Sequence, residues 1–441
     1  MSKLSGFPEF LPAERNAELI VLDHLRRVFE LHGFASVETR AAEPMDQLLR
    51  KGEIDKEVYV LRRLQAGEGD SDSGLGLHFD LTVPFARYVL ENAGKLEFPF
   101  RRYQIQKVWR GERPQEGRFR EFTQADIDIV AKDELPFHFD VEIAQVMTEA
   151  MSGLPVPALT LQVNNRKVLE GFYLGLGVAD PAAVMRIVDK LDKLPADKIL
   201  DLLKADAGLS ADQAEKCLAL AQINAPDSSF VEQVRELGVE HELLDIGLRE
   251  LAEVMDSVTS SGSVTVVADL RIARGLDYYT GTVFETQMAG FEHLGSICSG
   301  GRYDQLASDG KNTYPGVGIS LGVSRLLVPL ITKSGLVADR SVPSTVLVAL
   351  VDEESRALST ETAQKLRARG IPTEVAASAQ KFGKQIRYAE RRGIPFVWFP
   401  PVGDANHGVR DIRTAHQVDA DPDTWNPPTE DLTPSIKEQL T

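Results

Sequence analysis

The sequence has 441 residues, of which 43% are hydrophobic and 26% charged, a balance typical of globular proteins long enough for two or three domains. Its two cysteines, Cys217 and Cys298, exclude a disulfide framework and a four-cysteine zinc site, and its apolar runs are too short for a membrane helix. The net charge of −17 means that a nucleic-acid partner needs a local basic face. The first ten residues lack the basic and apolar start of a signal peptide, so we expect a cytoplasmic protein.

Helical spacing of apolar residues predicts two helices early in the chain. The first covers residues 16–31 and ends before Gly33, in the position that a glycine after a helix prefers. The second covers residues 81–93 and carries Pro84 in its first turn, where proline is tolerated.

Two alternating segments, residues 103–110 and 122–130, predict antiparallel strands joined by a charged loop over residues 111–120. Phe122 offers a ring on which a base can stack, and a glutamate in the loop could accept from an amino group such as that of adenine. The alternative is a solvated basic turn. The charged residues that would suit a polyphosphate and its base are Arg110, Glu112, Arg113, Arg118 and Arg120.

The middle of the chain, residues 166–262, is rich in Leu, Ala, Asp and Lys at helical spacing and predicts a helical insertion. Strand-like chemistry returns at residues 264–269 and 281–288. Residues 316–330 then predict a buried strand that runs into a helix. Small residues in this strand would let another backbone or a flat ligand come close, namely Gly316, Gly318 and Gly322.

The last quarter of the chain predicts a separate module. Residues 331–344 are polar and predict a linker. Strand and helix patterns alternate over residues 345–418, which indicates a small parallel α/β domain, and the proline-rich tail over residues 419–441 is expected to be loosely ordered. The sequence contains no P-loop, no dinucleotide-binding glycine pattern and no paired-histidine metal motif.

Three further segments combine chemically useful side chains. RGLDYYTG at residues 274–281 is unusual, and its alternative interpretation is a strand pair with core tyrosines. SGGRYD at residues 299–304 has paired glycines that permit a tight turn with positive φ. In LHFDLT at residues 77–82, Asp80 and Thr82 could bind an ammonium group or could simply cap a helix.

In this order and at these spacings, the segments resemble those of histidyl-tRNA synthetases, a class II aminoacyl-tRNA synthetase family, over the chain to about residue 418. RGERPQEGRFREFTQ at residues 110–124 resembles the second class motif, and RGLDYYTG and GGRYD resemble the two histidine-specific motifs. The resemblance implies an α+β catalytic domain with an antiparallel sheet over residues 1–330, which carries the helical insertion. An α/β anticodon-binding domain would follow over residues 345–418.

The resemblance also implies substrates and a role for each matching residue. The expected enzyme is a homodimer that activates L-histidine with ATP and Mg²⁺ and loads it onto tRNA(His), with no permanently bound cofactor and no membrane partner. ATP would be bound by Arg110, Glu112, Arg118, Phe122 and Arg325. Histidine would be bound by Asp80, Leu81, Thr82, Gln124, Asp128, Arg274, Tyr278 and Tyr279, with Arg110 and Arg274 as the catalytic cations. The tRNA would be contacted by Gln115, Lys381, Lys384, Arg387 and Arg391.

The chemistry explains why such a site needs arginines. The histidine carboxylate must attack the α-phosphorus of ATP, and because both partners are anionic, cations on either side would offset their repulsion and fix the line of attack. The nucleophile is already ionised, so no general base is needed. A buried polar pocket that requires ring nitrogens can discriminate by about 10⁴–10⁵ without editing.

Three positions depart from the family pattern. Arg40 stands where the first class motif has proline, Ser324 stands where the third has glutamate, and His78 stands where arginine is common. For His78 we expect a supporting or surface role rather than catalysis.

Two competing interpretations remain open at the level of the sequence. One is a non-catalytic paralogue, either a regulator of ATP phosphoribosyltransferase or a tRNA-sensing domain. The other is a synthetase for a different amino acid. Regulatory paralogues usually lack the C-terminal module and lose the arginines, whereas this chain keeps Arg110, Arg274 and Arg325.

Overall fold

The computed structural model describes residues 4–49, 57–65, 74–273, 278–402 and 406–437. The chain separates into two compact units. The larger unit contains Met1–Pro8 and Leu22–Pro329, and the smaller unit contains Glu9–Val21 and Leu330–Thr441. Each unit therefore draws on two separate stretches of the sequence.

Helices and strands alternate unevenly along the described residues. The helices are α1 (Pro12–Leu31), α2 (Met45–Leu48), α3 (Thr82–Asn92), α4 (His138–Ser152), α5 (Arg166–Gly175), α6 (Pro181–Val188), α7 (Ala196–Ala205), α8 (Ala211–Ala221), α9 (Phe230–Glu236), α10 (Glu242–Ser257), α11 (Val323–Ser334), α12 (Arg356–Ala368) and α13 (Phe382–Arg392). The strands are β1 (Ala35–Ser36), β2 (Ala42–Pro44), β3 (Val60–Leu61), β4 (Leu75–Leu77), β5 (Phe100–Trp109), β6 (Glu121–Val130), β7 (Leu159–Asn165), β8 (Asn224–Ala225), β9 (Val264–Asp269), β10 (Thr282–Met288), β11 (Cys298–Tyr303), β12 (Gly316–Gly322), β13 (Val346–Val348), β14 (Thr373–Val375), β15 (Phe396–Phe399), β16 (Gly408–Asp411) and β17 (Gln417–Asp419).

A mainly antiparallel sheet forms the centre of the larger unit. Within the described residues its nine strands follow the order β1-β5-β6-β12-β11-β10-β7-β9-β8. The strands from β5 to β7 in this order pair antiparallel, whereas β1 and β9 lie parallel to β5 and β7. The predicted α+β class with an antiparallel sheet is confirmed.

The β5–β6 hairpin sets the positions of the site residues. Its register is unbroken from the Phe100–Val130 pair to the Trp109–Glu121 pair, which confirms the predicted hairpin. Since side chains alternate along a strand, every second residue of β6 from Gln124 onward faces the same side of the sheet. One face of the hairpin therefore carries a row of polar side chains.

Most helices predicted from the sequence are confirmed. α1 ends at Leu31, and Gly33 follows with a φ of 76°. α3 carries Pro84 in its first turn, as expected. The predicted helical insertion contains α5 to α10, but it also contains the short strand β8, which pairs with β9 and was not predicted.

The prediction of a tight turn at residues 299–304 is wrong. Cys298–Tyr303 form β11, which pairs with a neighbour on each side, and Gly300 and Gly301 do not have positive φ. A Cβ atom on Gly300 would lie 2.1 Å from the carbonyl oxygen of Gly318 on β12. The paired glycines therefore allow two strands to approach closely instead of reversing the chain.

The smaller unit is built on a mixed sheet. In the part of the chain that the structure describes, five strands follow the order β14-β13-β15-β16-β17. β14, β13 and β15 pair parallel, as predicted, whereas β16 and β17 add an antiparallel edge that the sequence analysis missed. The expectation of a purely parallel sheet is therefore corrected.

The segments predicted as a linker and a loose tail are ordered parts of this unit. Arg340, in the predicted linker, is buried and donates from Nη2 to the carbonyl oxygen of Asp431 at 2.8 Å. Trp425, in the predicted tail, packs edge-on against Trp398 with ring centroids 5.5 Å apart. The expectation of a loose tail is wrong for the described part of it, because these side chains are held by the sheet and its flanks.

Candidate active site

A cavity of about 220 Å³ opens beside the β5–β6 hairpin. Hairpin residues line it together with the end of β12 and the first turn of α11. The structure brings together all five residues predicted to bind ATP, namely Arg110, Glu112, Arg118, Phe122 and Arg325, and adds Gln124 from the predicted histidine set. Sequence reasoning missed the other polar residues of the wall, which are Ser296, Ser299 and Ser320.

Arg110 is held at the wall of this cavity by its neighbours. Its Nε donates to the carbonyl oxygen of Phe79 at 3.0 Å, and its guanidinium carbon lies 5.2 Å from the centre of the Phe122 ring. Nη1 lies 3.7 Å from a carboxylate oxygen of Glu112. Because Nε is used by the protein, the two terminal nitrogens are the donors available to an anion, in the geometry that suits phosphate or carboxylate.

Charged side chains of the hairpin loop pair with each other beside Arg110. Arg118, which is half exposed, lies with Nη1 3.4 Å from Oε2 of Glu112. Glu57, which the sequence analysis did not consider, accepts the backbone N–H of Gly111 through its carbonyl oxygen at 2.7 Å. Burial, followed by the negative charge of Glu112, raises the pKa of the Glu57 carboxyl. The adenine end of the predicted ATP site therefore has two carboxyl groups near it.

Arg325, near the start of α11, is oriented by the main chain. Its Nη2 donates to the carbonyl oxygen of Leu294. Ser324 instead accepts the backbone N–H of Thr123 at 2.9 Å through its hydroxyl oxygen. The serine that replaces the family glutamate therefore ties α11 to β6, and a backbone carbonyl orients the arginine.

Asp128 anchors a second polar cluster further along β6. Its Oδ2 pairs with Nη2 of the buried Arg102 at 2.7 Å, and its Oδ1 accepts the hydroxyl of Tyr303 at 2.7 Å. A Cβ atom on Gly318 would lie 2.1 Å from Oδ1 of Asp128, and one on Gly316 would lie 2.5 Å from the Tyr303 ring. The glycines expected to admit a backbone or a flat ligand therefore make room for these two side chains.

Asp80 has a structural use in addition to the predicted one. Its Oδ1 accepts the backbone N–H of Val83 at 3.0 Å in the first turn of α3, so Asp80 supports the start of the helix from the residue before Leu81, which occupies the N-cap position. Leu81 is fully buried, which leaves its main chain as the part that could meet a ligand. Thr82 is partly exposed beside it. Binding of an ammonium group by this segment stays a prediction.

Two tyrosines of the RGLDYYTG segment lie against each other near this cluster. The ring centroids of Tyr278 and Tyr279 are 4.2 Å apart, and Nη1 of Arg166 donates to the carbonyl oxygen of Tyr279 at 2.9 Å. Burial, followed by the neighbouring Tyr278, raises the pKa of the Tyr279 phenol well above its usual range. Arg274, predicted as a catalytic cation, lies outside the described residues.

A hydrogen-bond chain that the sequence analysis missed joins β6 to β12. Nε2 of Gln124 donates to Oγ of Ser320 at 2.9 Å, and this hydroxyl donates to Oδ1 of Asp126. Asp126 is 1% exposed, and burial, partly offset by the charge of Arg102, raises its pKa to about 7. Alternation along β6 is the signal that could have found Asp126, since it lies between the two polar residues that were predicted.

His78 and Arg40, which depart from the family pattern, both support neighbouring groups. The ring of His78 is buried, stacks on Trp109 with centroids 5.5 Å apart, and contacts the carbonyl oxygen of Lys107 through Nε2 at 2.8 Å. Burial lowers the pKa of the His78 imidazole, which suits the supporting role expected for it. Arg40 pairs at 3.0 Å with the buried Glu43.

The residues predicted to contact tRNA are exposed on two surfaces. Gln115 lies at the tip of the hairpin loop, where its main chain bridges to that of Arg118. On the smaller unit, the basic residues predicted to meet phosphates project from the start and body of α13, and they are Lys381, Lys384, Arg387 and Arg391. The last three line a cavity of about 630 Å³.

The described residues contain neither a metal-binding cluster nor a membrane-spanning helix. In that part of the chain, no group of three or more His, Cys, Asp or Glu is placed to hold a metal ion, and no helix is long and apolar enough to cross a membrane. Cys217 and Cys298 are both buried thiols, and burial raises the pKa of Cys217 to about 12. Both cysteines therefore serve as small core residues.

An antiparallel sheet that brings arginines, a glutamate and a phenylalanine to one cavity is the arrangement of a class II aminoacyl-tRNA synthetase. The sequence matches the family described as histidyl-tRNA synthetase over residues 6–326, and an anticodon binding domain over residues 345–404. The chain therefore belongs to the histidyl-tRNA synthetase family.

Several relatives are similar over nearly the whole chain. A protein named histidine–tRNA ligase from Cutibacterium acnes is 60% identical and one from Micrococcus luteus is 56% identical, each alignment covering 99% of this chain and 98% of the relative. The solved histidyl-tRNA synthetase of a Nostoc species superposes with a TM-score of 0.85 at 33% identity, covering 95% of this chain and 96% of that one. A Bacillus halodurans structure described as an ATP phosphoribosyltransferase regulatory subunit/histidyl-tRNA synthetase shares the fold, with a TM-score of 0.71 at 21% identity, covering 88% of this chain and 96% of that one.

Proposed function

We propose that this chain is a histidine–tRNA ligase. It activates L-histidine with ATP to give histidyl-adenylate and pyrophosphate, and it then transfers the histidine to the 3′ end of tRNA(His). The observation that carries the proposal is the convergence of Arg110, Glu112, Phe122 and Arg325 on one cavity, in a chain that belongs to the family. The polar cluster around Asp128, on the same strand as Phe122, supplies the amino-acid side of the site.

ATP enters as its magnesium complex, so the metal is carried by the substrate phosphates. The terminal nitrogens of Arg110 bind the α-phosphate, and Arg325 binds the terminal phosphates. Glu112 accepts from the adenine amino group, and the ring of Phe122 stacks against the base. Arg118, half exposed at the loop, adds positive charge near the phosphates.

The chemical step is the attack of the histidine carboxylate on the α-phosphorus. Arg110 neutralises the two anions on one side and stabilises the charge that builds up in the transition state. The family motif assigns the opposite side to Arg274, which lies outside the described residues. A bound carboxylate that is already ionised and correctly aligned needs no proton transfer, so positioning and charge are the contributions of the protein.

Histidine is recognised by buried polar groups. Asp128, fixed by Arg102 and Tyr303, faces the ring and amino group of the substrate together with Gln124, whose Oε1 is buried with no hydrogen-bond partner in the part of the chain that the structure describes. Asp80 and Thr82 take the ammonium group, the main chain of Leu81 contributes to the same wall, and Tyr278 and Tyr279 close the pocket. An amino acid without ring nitrogens would leave these groups unpaired, which is a large penalty.

The tRNA contacts both basic surfaces of an otherwise acidic protein. Lys381, Lys384, Arg387 and Arg391 on α13 meet backbone phosphates, and the exposed ring of Tyr388 beside them offers a face for a base. Gln115, at the hairpin tip, meets the acceptor end.

Two copies of the chain form the working enzyme, in the cytoplasm. Support for the dimer comes from large apolar side chains exposed on and near the small sheet of β2, β3 and β4, namely Leu49, Val60, Leu64 and Leu75. Arg40, in the first class motif, pairs with the buried Glu43.

A non-catalytic regulator is the rival function, because one solved relative carries that description in addition to synthetase. The enzyme is favoured by Arg110 and Arg325, which both line the cavity. It is also favoured by the match to an anticodon binding domain. The regulator would bind histidine without consuming ATP.

Charging of tRNA distinguishes the two functions. The purified chain is incubated with ATP, Mg²⁺, radiolabelled histidine and a transcript of tRNA(His), and acid-precipitable label is measured. We expect label on tRNA(His) and none on a transcript with an unrelated acceptor end and anticodon. Absence of label with folded protein would support the regulator.

A further inference from the structure

The chain of hydrogen bonds from Gln124 through Ser320 to Asp126 has a direction. Register pairs Ser320 of β12 directly with Asp126 of β6, so the hydroxyl and the carboxyl face the same side of the sheet. Nε2 of Gln124 donates to the hydroxyl at 2.9 Å, and the hydroxyl donates to Oδ1 of Asp126. The order of donors therefore runs from the amide to the carboxyl.

An ionised carboxylate imposes this direction, because it can only accept. The hydroxyl of Ser320 must then donate its single proton to Asp126. It can therefore only accept a hydrogen bond from Gln124. The amide of Gln124 must in turn point its nitrogen at Ser320, and its carbonyl oxygen points elsewhere. A neutral carboxyl could donate to the hydroxyl, and the whole chain could then reverse.

This arrangement leaves the carbonyl oxygen of Gln124 pointing away from Ser320. Oε1 of Gln124 is buried and has no hydrogen-bond partner among the described residues, although the residue belongs to the wall of the cavity. A buried acceptor without a partner is unfavourable, so a ligand that supplies an N–H to it binds more tightly. A reversed amide would present its N–H at this point and would be unable to reject a ligand that offers an acceptor.

We propose that Asp126 acts through Ser320 as a positioning residue, which fixes the amide of Gln124 so that its carbonyl oxygen is reserved for an N–H donor of the bound amino acid. The inference rests on the proposed function, which places histidine against Gln124. Asp126 does not touch the substrate. Its contribution is to specificity for the amino acid, and binding of ATP does not depend on it.

Kinetics of histidine-dependent ATP–pyrophosphate exchange test the proposal with Asp126→Asn, Ser320→Ala and the double variant. Asparagine keeps the shape but can donate or accept, so it no longer imposes a direction. We expect each single variant to raise the KM for histidine about ten-fold, the effect of losing one well-placed buried hydrogen bond, with the KM for ATP unchanged. The double variant should be no worse than Ser320→Ala, because Asp126 acts only through that hydroxyl.

Dependence on pH separates positioning from simple structural support. The charged and titratable groups that face Asp126 are Asp128 on the same strand and, from other parts of the chain, Arg102, Asp80 and Cys298, and all are unchanged in Asp126→Asn. The readout is the KM for histidine of Asp126→Asn divided by that of the wild type at each pH, so that titration of histidine itself cancels. Since the pKa of Asp126 is about 7, the ratio should fall towards one as the pH drops below that value and the wild-type carboxyl is neutralised.

Two histidine analogues identify the donor that Gln124 meets. Histidinol keeps the ammonium and the imidazole, whereas imidazolepropionate lacks the ammonium. Weaker inhibition of Asp126→Asn by both analogues assigns the imidazole N–H, and weaker inhibition by histidinol alone assigns the ammonium. Either result supports the proposal, and equal inhibition of variant and wild type by both analogues overturns it.

The control variant is Thr148→Val on α4, which removes a buried hydroxyl that has no hydrogen-bond partner within the described ranges and lies outside the site. It should leave both KM values unchanged. Thermal unfolding of every variant checks that the fold is kept. An unchanged KM for histidine in both single variants, or an equal rise in the KM for ATP, or additive effects in the double variant would overturn the role of Asp126. Absence of exchange in the wild type would instead overturn the proposed function.

Discussion

The buried pair of Arg102 and Asp128 is the most consequential residue contact in the site. Arg102 is completely buried, reaches Asp128 at 2.7 Å and lies over the ring of Phe85 with its guanidinium carbon 4.3 Å from the centre. Loss of one partner in such a pair leaves an uncompensated charge and typically costs about 3–5 kcal/mol. The pair therefore holds the Asp128 carboxylate in position before substrate binds.

Gly318 should be intolerant of a methyl group for the same reason. In Gly318→Ala the new Cβ would lie 2.1 Å from Oδ1 of Asp128, so the carboxylate must move away from Arg102 and Tyr303. We expect a destabilisation of about 1–3 kcal/mol and a KM for histidine raised at least about ten-fold. Thermal unfolding and pyrophosphate exchange measure the two effects.

Gly94→Ala is the matched control, because a Cβ there meets nothing within 4 Å. It should change neither unfolding nor the KM for histidine. If Gly318→Ala and Gly94→Ala had the same thermal unfolding and the same KM for histidine, neither stability nor histidine binding would depend on the observed position of Asp128.

At the scale of elements, α13 is the part whose surface differs most from the rest of an acidic protein. Its exposed basic residues lie on a helix whose buried side holds Gln385 and Ala389. Gln385 fixes the helix to the sheet, since its Nε2 donates to the carbonyl oxygen of Leu350 at 2.8 Å. The basic surface is therefore carried on a rigid support.

Removing charge from α13 should weaken tRNA binding alone. In the triple variant Lys384→Ala, Arg387→Ala, Arg391→Ala, we expect a higher KM for tRNA(His), while pyrophosphate exchange is unchanged. If each side chain meets a phosphate, the slope of log affinity against log salt should fall by about 0.7–0.9 for each one lost. Lys365→Ala on α12 serves as the control, since Lys365 pairs with Asp423 at 3.0 Å. Unaltered charging kinetics in the triple variant would remove α13 from the tRNA surface.

The sequence predicts those elements whose signals are local. The β5–β6 hairpin follows from alternation on either side of a polar loop, and α1 follows from helical spacing and Gly33. The glycines of β11 were misinterpreted because a tight turn and a close approach both need glycine, and only the presence of β12 decides between them. The hydrogen bond between Ser320 and Asp126 was missed for the same reason, since the two residues are 194 positions apart in the sequence.

At the scale of the whole molecule, separate motifs converge on one unit. The hairpin is distant in the sequence from the end of β12 and the start of α11, which follow one another, and all three line one cavity. Family resemblance predicted this set, whereas spacing alone could not, because no local pattern reports which strands become neighbours. The ordered tail was mispredicted because its prolines suggested disorder, while Trp425 and its contacts with Trp398 and Phe396 hold it in place.

Amino-acid-dependent exchange of labelled pyrophosphate into ATP, without tRNA, is the most direct test of the central claim that this cavity joins histidine to ATP. The polar pocket predicts exchange with histidine, at a specificity about 10⁴–10⁵ above that of amino acids without a matching ring. It also predicts that Arg110→Ala lowers the rate by about 10²–10³, as expected when one donor to a transition-state anion is lost. No exchange with histidine, or faster exchange with another amino acid, from folded protein with Mg²⁺ would contradict the claim.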